Sequence, residues 1–294
     1  MAMTPLPLPL VCEGKVRALY DAGPLYLMVA SDRISAFDSV MPTEIPYKGM
    51  VLNQLSEYWF RATESVIPNH FVSAYPHTFP AAVQAHLPLL VGRSMLVAKC
   101  VPILVECVVR GFMAGSAWQE YQSNGTVAGI RLPAGLSVGS RYPDPLFCPA
   151  IKNHQGHDEN ISYETLVDQV GDDIARQLKA ASLAVYDRGA QHAAEKGLYI
   201  ADTKFEFGWI GNQLTLIDEV FTPDSSRYWD VTEYDHAMAT GTLPMGYDKQ
   251  VLREYLKAQG ATGPVALPDA VVATIWGRYT GVFERITGTP FQAG

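Results

Sequence analysis

The chain has 294 residues and 48% of them are hydrophobic, so it can bury a large core as one large domain or two closely packed ones. Its net charge of −8 argues against nucleic acid as a main partner, so any phosphate-binding region must be a local concentration of lysine and arginine. The four cysteines show neither metal-ligand spacing nor a disulfide framework.

The first residues do not resemble a signal peptide, because residues 1–11 contain three prolines and no basic stretch. The most apolar internal run, residues 101–109, is too short to span a bilayer. We therefore expect a cytoplasmic protein without a membrane partner, as a monomer or a small homo-oligomer.

Two β-rich runs, residues 14–20 and 24–30, are separated by a turn at 21–23 and predict a hairpin. Gly14, Lys15 and Arg17 lie at its start, where backbone N–H groups and a lysine can cover a polyphosphate. The segment lacks both the G-x-G-x-x-G and the Walker spacing, and the residues alone favour an exposed edge strand instead.

A polar loop follows the second run. Ser31, Asp32, Arg33, Ser35 and Asp38 come directly after an apolar strand, and loops at strand ends are where binding residues concentrate. Downstream, residues 53–61 have the apolar spacing of a helix.

Residues 91–109 predict two strands broken at Pro102. Lys99 is a lone internal lysine of the kind found in nucleotide sites, although charged residues on half-exposed strands are common. The strand that contains Glu106 can present backbone groups to a base.

The segment from Arg110 to Ser116 has two glycines, which let the backbone approach a ligand closely. Ser116 opens a helix with capping-box spacing that closes at residues 124–125, and a helix N-terminus favours an anion. With Arg110 as a bidentate donor, a phosphate monoester fits here. A capped helix with a flexible lead-in is the equal alternative. The polar loop at residues 149–160 contains Lys152 and Asp158, and its two histidines lack the partners that a zinc site needs.

The second half of the chain predicts helices at residues 162–168, 172–196, 249–259 and 269–286, the last with an apolar stripe that suits a core. The fold class is therefore α+β. We expect a small antiparallel β-rich N-terminal lobe at residues 1–105 over a larger α+β lobe at residues 106–294 with C-terminal helices, and a cleft between them, which the family resemblance described below implies is an ATP cleft.

An acidic hairpin at residues 198–208 and 213–220 is the most informative feature. Asp202, Lys204 and Glu206 share one strand face, and the partner strand ends in Asp218. Two carboxylates roughly 4 Å apart repel by about 4 kcal/mol at a protein surface, so they stay ionised together only beside a cation, and oxygen ligands favour Mg²⁺.

This metal site makes a demand on the hairpin register. A two-residue loop at residues 211–212 would put Asp218 on the face opposite Glu206, so the site requires a three-residue loop or a bulge. An ordinary solvated strand face remains open as the alternative.

Together these segments resemble the SAICAR synthetase family, from about residue 12 to residue 230 and in family order. The matching stretches are residues 14–17, 31–38, 106–110, 115–118, 156–162, 202–208, 218–219 and 222–227.

The resemblance implies an ATP-dependent ligase of de novo purine biosynthesis. Its substrates would be carboxyaminoimidazole ribotide, L-aspartate and ATP with Mg²⁺. The carboxylate of the ribotide would join the amine of L-aspartate through an acyl phosphate, giving SAICAR, ADP and phosphate. Such chemistry needs alignment and charge neutralisation more than a protein nucleophile, and no triad is evident here.

The resemblance also implies a role for each candidate residue. Glu206 and Asp218 would bind Mg²⁺, and Asp202 and Lys204 would orient the reacting groups. The nucleotide would contact Gly14, Lys15, Arg17, Lys99 and Glu106. The ribotide would contact Arg110, Ser116 and Arg227 through its phosphate, and Lys152 and Asp158 elsewhere. L-aspartate would bind the loop of Ser31, Asp32, Arg33, Ser35 and Asp38.

Two other function classes are compatible with parts of this pattern. A small-molecule kinase would transfer phosphate to a hydroxyl and release none of it. A non-catalytic nucleotide-binding module would have no use for two metal-binding acids.

Overall fold

A computed structural model of the chain describes residues 5–37, 39–151, 159–261 and 263–293. The strands are β1 Leu10–Glu13, β2 Arg17–Ala22, β3 Leu25–Ala30, β4 Ser35–Ala36, β5 Ser39–Val40, β6 Phe71–Ser73, β7 Ser94–Ala98, β8 Val101–Pro102, β9 Val105–Phe112, β10 Thr126–Val127, β11 Ile130–Arg131, β12 Arg141–Ile151, β13 Glu159–Asn160, β14 Leu198–Ile210, β15 Gln213–Ile217 and β16 Ser226–Asp230. The helices are α1 Lys48–Thr63, α2 Leu87–Leu90, α3 Ser116–Asn124, α4 Tyr163–Val170, α5 Asp172–Glu195, α6 Val231–Thr240, α7 Gln250–Ala258 and α8 Asp269–Thr287, with 3₁₀ turns at Pro76–Thr78 and Ala81–His86.

Two antiparallel sheets organise the molecule. The first has the strand order β1-β2-β3-β7-β6, and the second has β13-β12-β9-β14-β15, with β16 and β8 also paired to β14. The α+β class is confirmed. One core cluster contains buried residues from Met28 on β3 to Ile286 on α8. Helices α1, α5 and α8 therefore pack into the same core although they are far apart in sequence. A lobe boundary near residue 105 stays a prediction.

Helix α1 begins at Lys48, five residues before the predicted start at Asn53. The signal for this start is not local, since Tyr47 makes no side-chain cap and adopts a left-handed conformation. Instead, the Gly49 N–H donates to Asp32 Oδ1 at 2.9 Å. Because a side chain from a distant loop satisfies the first turn, the sequence around the helix could not reveal where it begins.

The later helices follow their local signals with one exception. Ser162 caps α4 by accepting from the Thr165 N–H, and α5 and α8 end within one residue of their predicted ends. For α3 the predicted bounds hold but the predicted capping box is wrong. Gly115 occupies the N-cap, and Ser116, inside the helix, accepts a hydrogen bond from Arg110 instead.

The described helices include none that combines the length and apolar character of a membrane span. The apolar stripe on α8 is buried, as predicted, through Ile275, Tyr279, Val282 and Phe283. Helix α6 was not predicted.

Asp230 begins α6 and ties it to α8. Its Oδ1 accepts from the backbone N–H groups of Thr232 and Glu233, and its Oδ2 lies 2.6 Å from Arg285 Nη1. Replacing Asp230 with alanine is expected to lower the free energy of unfolding by about 1–2 kcal/mol, because both the cap and the ion pair are lost. Asp230→Asn keeps a good capping side chain and is expected to cost less than half as much in urea unfolding. Equal losses in the two variants would contradict the capping role.

Candidate active site

One face of β14 carries charged residues, as the alternation of side chains predicts. Asp202, Lys204 and Glu206 are half-buried on this face, whereas Thr203 and Phe205 are buried on the other. The antiparallel partner β9 places Arg110 opposite Asp202, so its side chain emerges on the same charged face. The two strands therefore build one polar surface above an apolar core.

The register of the β14–β15 hairpin contradicts the prediction. The loop has two residues, Gly211 and Asn212, and Glu206 lies opposite Ile217, so the expected three-residue loop or bulge is wrong. The reason is local: Gly211 adopts a φ of 59°, and a glycine with positive φ at the first loop position suits a two-residue hairpin turn.

Asp218 nevertheless reaches the same cluster as Glu206. Strand β15 ends at Ile217, and Asp218 has a φ of 67°, so its side chain no longer follows the alternation of the strand. Burial raises the pKa of the Asp218 carboxyl and Glu206 raises it further, while Arg17 opposes both effects. The two acids therefore interact although the register is the one that was expected to separate them.

Lys204 is the cation at the centre of this cluster. Its Nζ lies 2.8 Å from Glu106 Oε1 and 3.0 Å from Glu206 Oε1. Burial opposes the charged form, but Glu206, Glu106 and Asp218 together raise the pKa of Lys204 above its usual value. The lysine is thus held as a fixed ammonium among three carboxylates.

Arg17 joins the two sheets at the same place. It starts β2 in the first sheet, and its guanidinium lies 2.7 Å from Asp218 Oδ2 and 2.9 Å from Glu219 Oε2. Burial would raise the pKa of Glu219, but Arg17 lowers it below its usual value, helped by a hydrogen bond from Thr222. Glu219 and Thr222 were not among the predicted site residues, although the acidic pair at residues 218–219 pointed to this position.

A second cluster contains two arginines on one carboxylate. The Nη1 atoms of Arg110 and Arg227 each lie 3.0 Å from Asp202 Oδ2. Arg110 also donates to Ser116 Oγ at 3.1 Å, and Arg227 Nε lies 3.3 Å from Asp248 Oδ2. The structure therefore brings Asp202 and Arg227 to the segment that contains Arg110 and Ser116, although these three parts of the chain are separate in sequence.

These two clusters are neighbours, because Asp202 and Lys204 stand two residues apart on one face of β14. Two residues of a strand span about 7 Å. A small molecule with a phosphate at one end can therefore reach from the arginine pair to the lysine–carboxylate cluster.

The other predicted nucleotide residues lie at different distances from this surface. Gly14 and Lys15 form the turn between β1 and β2, beside Arg17. Lys99 instead pairs with Asp21 at 3.0 Å, near the far end of the β2–β3 hairpin from Arg17. The structure does not bring Lys99 to the cluster, and its nucleotide role stays a prediction.

The loop predicted to hold an amino acid has partners within the protein. Ser31 Oγ donates to the Val16 carbonyl, and Asp32 Oδ2 lies 3.0 Å from Arg93 in addition to capping α1. Arg33 donates a hydrogen bond to the Gly14 carbonyl and forms an ion pair with Glu13, so this loop packs on the β1–β2 turn. Ser35 lies in β4 and is buried.

Three predicted residues, Asp38, Lys152 and Asp158, lie outside the described residues.

A buried ionic hub next to the site was missed. Asp224 Oδ2 lies 2.8 Å from Lys48 Nζ and 3.2 Å from Lys249 Nζ, and Oδ1 accepts from the Tyr279 hydroxyl at 2.7 Å. These partners come from α1, from the start of α7 and from α8. No spacing in the sequence joins them, because the contacts exist only after the helices have packed.

A second missed residue, His70, is buried beside the end of β15, where its backbone N–H donates to the Leu216 carbonyl at 3.0 Å. Burial lowers the pKa of His70 to about 3, so this imidazole is neutral at physiological pH.

The family model for SAICAR synthetase matches residues 10–267 of the chain. A protein of Desulforapulum autotrophicum named phosphoribosylaminoimidazole-succinocarboxamide synthase is 46% identical over 284 residues, which cover 95% of each chain. Among solved structures, the SAICAR synthase of Saccharomyces cerevisiae in complex with SAICAR is 38% identical, with a TM-score of 0.87 over 99% of this chain and 100% of that one. A SAICAR synthetase in complex with ADP is 25% identical, with a TM-score of 0.72 over 97% of this chain and 100% of that one.

Proposed function

The chain belongs to the SAICAR synthetase family and is an ATP-dependent ligase of purine biosynthesis, and we propose that the ligation takes place on the polar face of β14. The observation that carries this proposal is the adjacency of two clusters on that face: the Arg110–Asp202–Arg227 group, and Lys204 with its carboxylates. The substrates are carboxyaminoimidazole ribotide, L-aspartate and ATP.

The reaction needs an activated carboxylate. A carboxylate is a poor electrophile, since resonance shields its carbon and oxide is not a viable leaving group. In our proposal one carboxylate oxygen of the ribotide attacks the γ-phosphorus of ATP, and ADP leaves. The amine of L-aspartate then attacks the acyl phosphate, and phosphate departs with that same carboxylate oxygen as the C–N bond forms.

The arginine pair is the proposed anchor for the ribotide phosphate. Arg110 and Arg227 are fixed in place by Asp202, and each retains further N–H groups that can donate to a phosphate. Ser116 adds a hydroxyl in the first turn of α3, where backbone N–H groups are unpaired within the helix. Asp202 thus orients both guanidinium groups for binding.

Glu206 and Asp218 are the proposed holders of Mg²⁺. Their oxygen donors suit a hard cation. Burial, together with the negative charge of Glu206, raises the pKa of Asp218, and such a cation would relieve both effects. Within the described ranges, no three His, Cys, Asp or Glu side chains are arranged to hold a metal ion by themselves. This suits Mg²⁺, which usually binds through one or two carboxylates together with substrate phosphates and water. When bound, the ion neutralises charge on the transferring phosphoryl group.

Lys204 and the residues of the first sheet complete the proposed site. The ammonium of Lys204 is held between Glu106 and Glu206, so it can align the ribotide carboxylate without moving. Gly14, Lys15 and Arg17 are proposed to lie over the nucleotide phosphates, and the strand segment that leads to Glu106 to hold its base. We retain the contacts of Lys99 with the nucleotide, and of Ser31, Asp32, Arg33, Ser35 and Asp38 with L-aspartate, as proposals. Lys152 and Asp158 are likewise proposed for the ribotide.

Isotope transfer tests the acyl phosphate. Ribotide with both carboxylate oxygens replaced by ¹⁸O is expected to place one label in the released phosphate and one in the amide carbonyl, as mass spectrometry would detect. Phosphate without label would contradict the acyl phosphate. Phosphate release that requires both ribotide and L-aspartate would at the same time exclude a small-molecule kinase.

Replacing Arg227 with alanine is expected to raise the KM for the ribotide at least about tenfold, because a charged hydrogen-bond donor to its phosphate is lost. The KM for ATP should change by less than about twofold, since the arginine pair lies apart from the nucleotide. Steady-state kinetics with each substrate varied in turn measures both values. Arg176→Ala, at an exposed arginine on α5, controls for the loss of a positive charge. Equal rises for ribotide and ATP would contradict the phosphate role.

A further inference from the structure

Strands β9 and β14 separate directly beyond the arginine cluster. Their register pairs Phe205 with Cys107 and continues to Asp202 opposite Arg110. Among the described residues the pairing of β9 with β14 ends there, although each strand stays paired along its other edge: Phe112 pairs with β12, and Ile200 pairs with β16.

A bulge in β14 coincides with this separation. The register of β14 with β16 shifts between Ile200 and Asp202, which leaves Ala201 as an extra residue. Ala201 is fully buried and packs with Phe112, Ala114 and Trp229, so the gap between the strands is filled on one side by apolar side chains.

The hydroxyl of Tyr186 occupies the gap from the other side. Tyr186 extends from α5, and its hydroxyl donates to the Ile200 carbonyl at 2.6 Å and lies against Gly111 of β9. A β-carbon at Gly111 would lie 2.1 Å from this hydroxyl oxygen, so the approach requires glycine. Burial raises the pKa of Tyr186 well above its usual value, so the hydroxyl keeps its proton.

One phenol oxygen therefore lies between the two strands: it satisfies a backbone acceptor on β14 and packs against the backbone of β9 at Gly111. Without this hydroxyl the Ile200 carbonyl would lose a buried hydrogen-bond partner. With the hydroxyl in place, β9 can leave β14 after Arg110 and continue to Ser116 at the start of α3.

We propose that Tyr186 is a positioning residue for the ribotide-phosphate site: its hydroxyl holds β9 and β14 apart directly beyond Arg110 and Asp202, and so sets the position of Arg110 relative to Arg227. This inference rests on the proposed function, which assigns the ribotide phosphate to that arginine pair. Tyr186 touches no substrate and acts through the backbone of both strands.

Tyr186→Phe is expected to raise the KM for the ribotide about tenfold, since one bridging hydroxyl is lost. The KM values for ATP and L-aspartate should stay within about twofold of the wild type, because the change is confined to the phosphate end of the site. Tyr121 offers a matched control, since its hydroxyl also donates to a backbone carbonyl (Pro133) and accepts a backbone N–H (Leu136). Tyr121→Phe is expected to lower Tm without moving any KM.

A double variant tests the contact itself. Gly111→Ala is expected to raise the ribotide KM because the new methyl group displaces the Tyr186 hydroxyl. In Gly111→Ala with Tyr186→Phe the nearest ring atom lies 3.1 Å from the new carbon, so the combined rise should be smaller than the product of the single rises. This comparison still decides the question if one single variant is poorly folded.

The inference is overturned if Tyr186→Phe leaves the ribotide KM unchanged, if all three KM values rise together, or if the two substitutions multiply. Failure of the proposed function is distinguishable from these outcomes. It would appear in the wild-type enzyme, as phosphate release that does not depend on the ribotide and L-aspartate.

Discussion

Replacing Glu206 with glutamine is expected to reduce kcat at least about 100-fold, as removal of a preorganised charge at a phosphoryl-transfer site does. Glutamine keeps the shape of the side chain but removes its negative charge, which interacts with both Lys204 and Asp218. The loss should therefore fall on turnover and on the Mg²⁺ concentration needed for half-maximal rate, with little change in the ribotide KM. Kinetics at several Mg²⁺ concentrations measure these quantities.

The control for this experiment is Glu57→Gln, which removes a carboxylate from a surface pair with Arg61 on α1. It should behave as the wild type. Nearly unchanged turnover in Glu206→Gln would contradict the metal role, and would favour a nucleotide-binding module in which this acid has no catalytic task. Urea unfolding of both variants separates lost chemistry from lost folding.

Replacing Asp224 with asparagine is expected to lower the free energy of unfolding by about 3–5 kcal/mol, the range for breaking a buried ion pair from one side. The carboxylate is only 2% exposed and holds two lysines, Lys48 and Lys249, together with the Tyr279 hydroxyl. In the variant the buried ammonium of Lys48 and the partly buried ammonium of Lys249 lose their shared counterion. The matched substitution Asp21→Asn removes an exposed pair with Lys99 and should leave stability nearly unchanged.

The same residue predicts a pH dependence. Burial would raise the pKa of Asp224, but Lys249 and Lys48 lower it below its ordinary value of 3.8. A carboxyl whose folded-state pKa is lowered stabilises the protein above the unfolded pKa, and this contribution is lost as pH falls through the folded value. The wild type should therefore lose stability below about pH 3.8, and the part of that slope due to Asp224 should be absent from Asp224→Asn. Parallel slopes in the two proteins would contradict an ionised Asp224.

The charged face of the candidate site was predictable from sequence as far as local rules reach. Alternation along β14 placed Asp202, Lys204 and Glu206 on one face, because side-chain direction in a strand depends only on position. The length of the loop between β14 and β15 was less predictable. The glycine at position 211 favours a loop of two residues over one of three. Asp218 joins the cluster through its left-handed conformation, which its ion pair with Arg17 accompanies and which no pattern in the sequence indicates.

Contacts between distant segments account for the rest. The cap on α1 comes from Asp32, and the partners of Asp224 come from three helices, so neither could be inferred before the chain was folded. The bridging hydroxyl of Tyr186 belongs to the same class: its helix was predicted closely, but its meeting with Gly111 depends on how α5 lies across the sheet. Local sequence signals determine where helices and strands form, whereas the packing of these elements determines which side chains contact each other.

The ion cluster at Asp224 also determines how much of the chain must be kept when the enzyme is truncated or fused to another protein. The family match ends at residue 267, yet Tyr279 on α8 supplies a hydrogen bond to a buried anion six residues after Asp218. A protein truncated at residue 267 would leave the buried Asp224 carboxylate without the hydrogen bond from Tyr279. Engineers who shorten this enzyme should therefore treat the last helix as part of its catalytic scaffold.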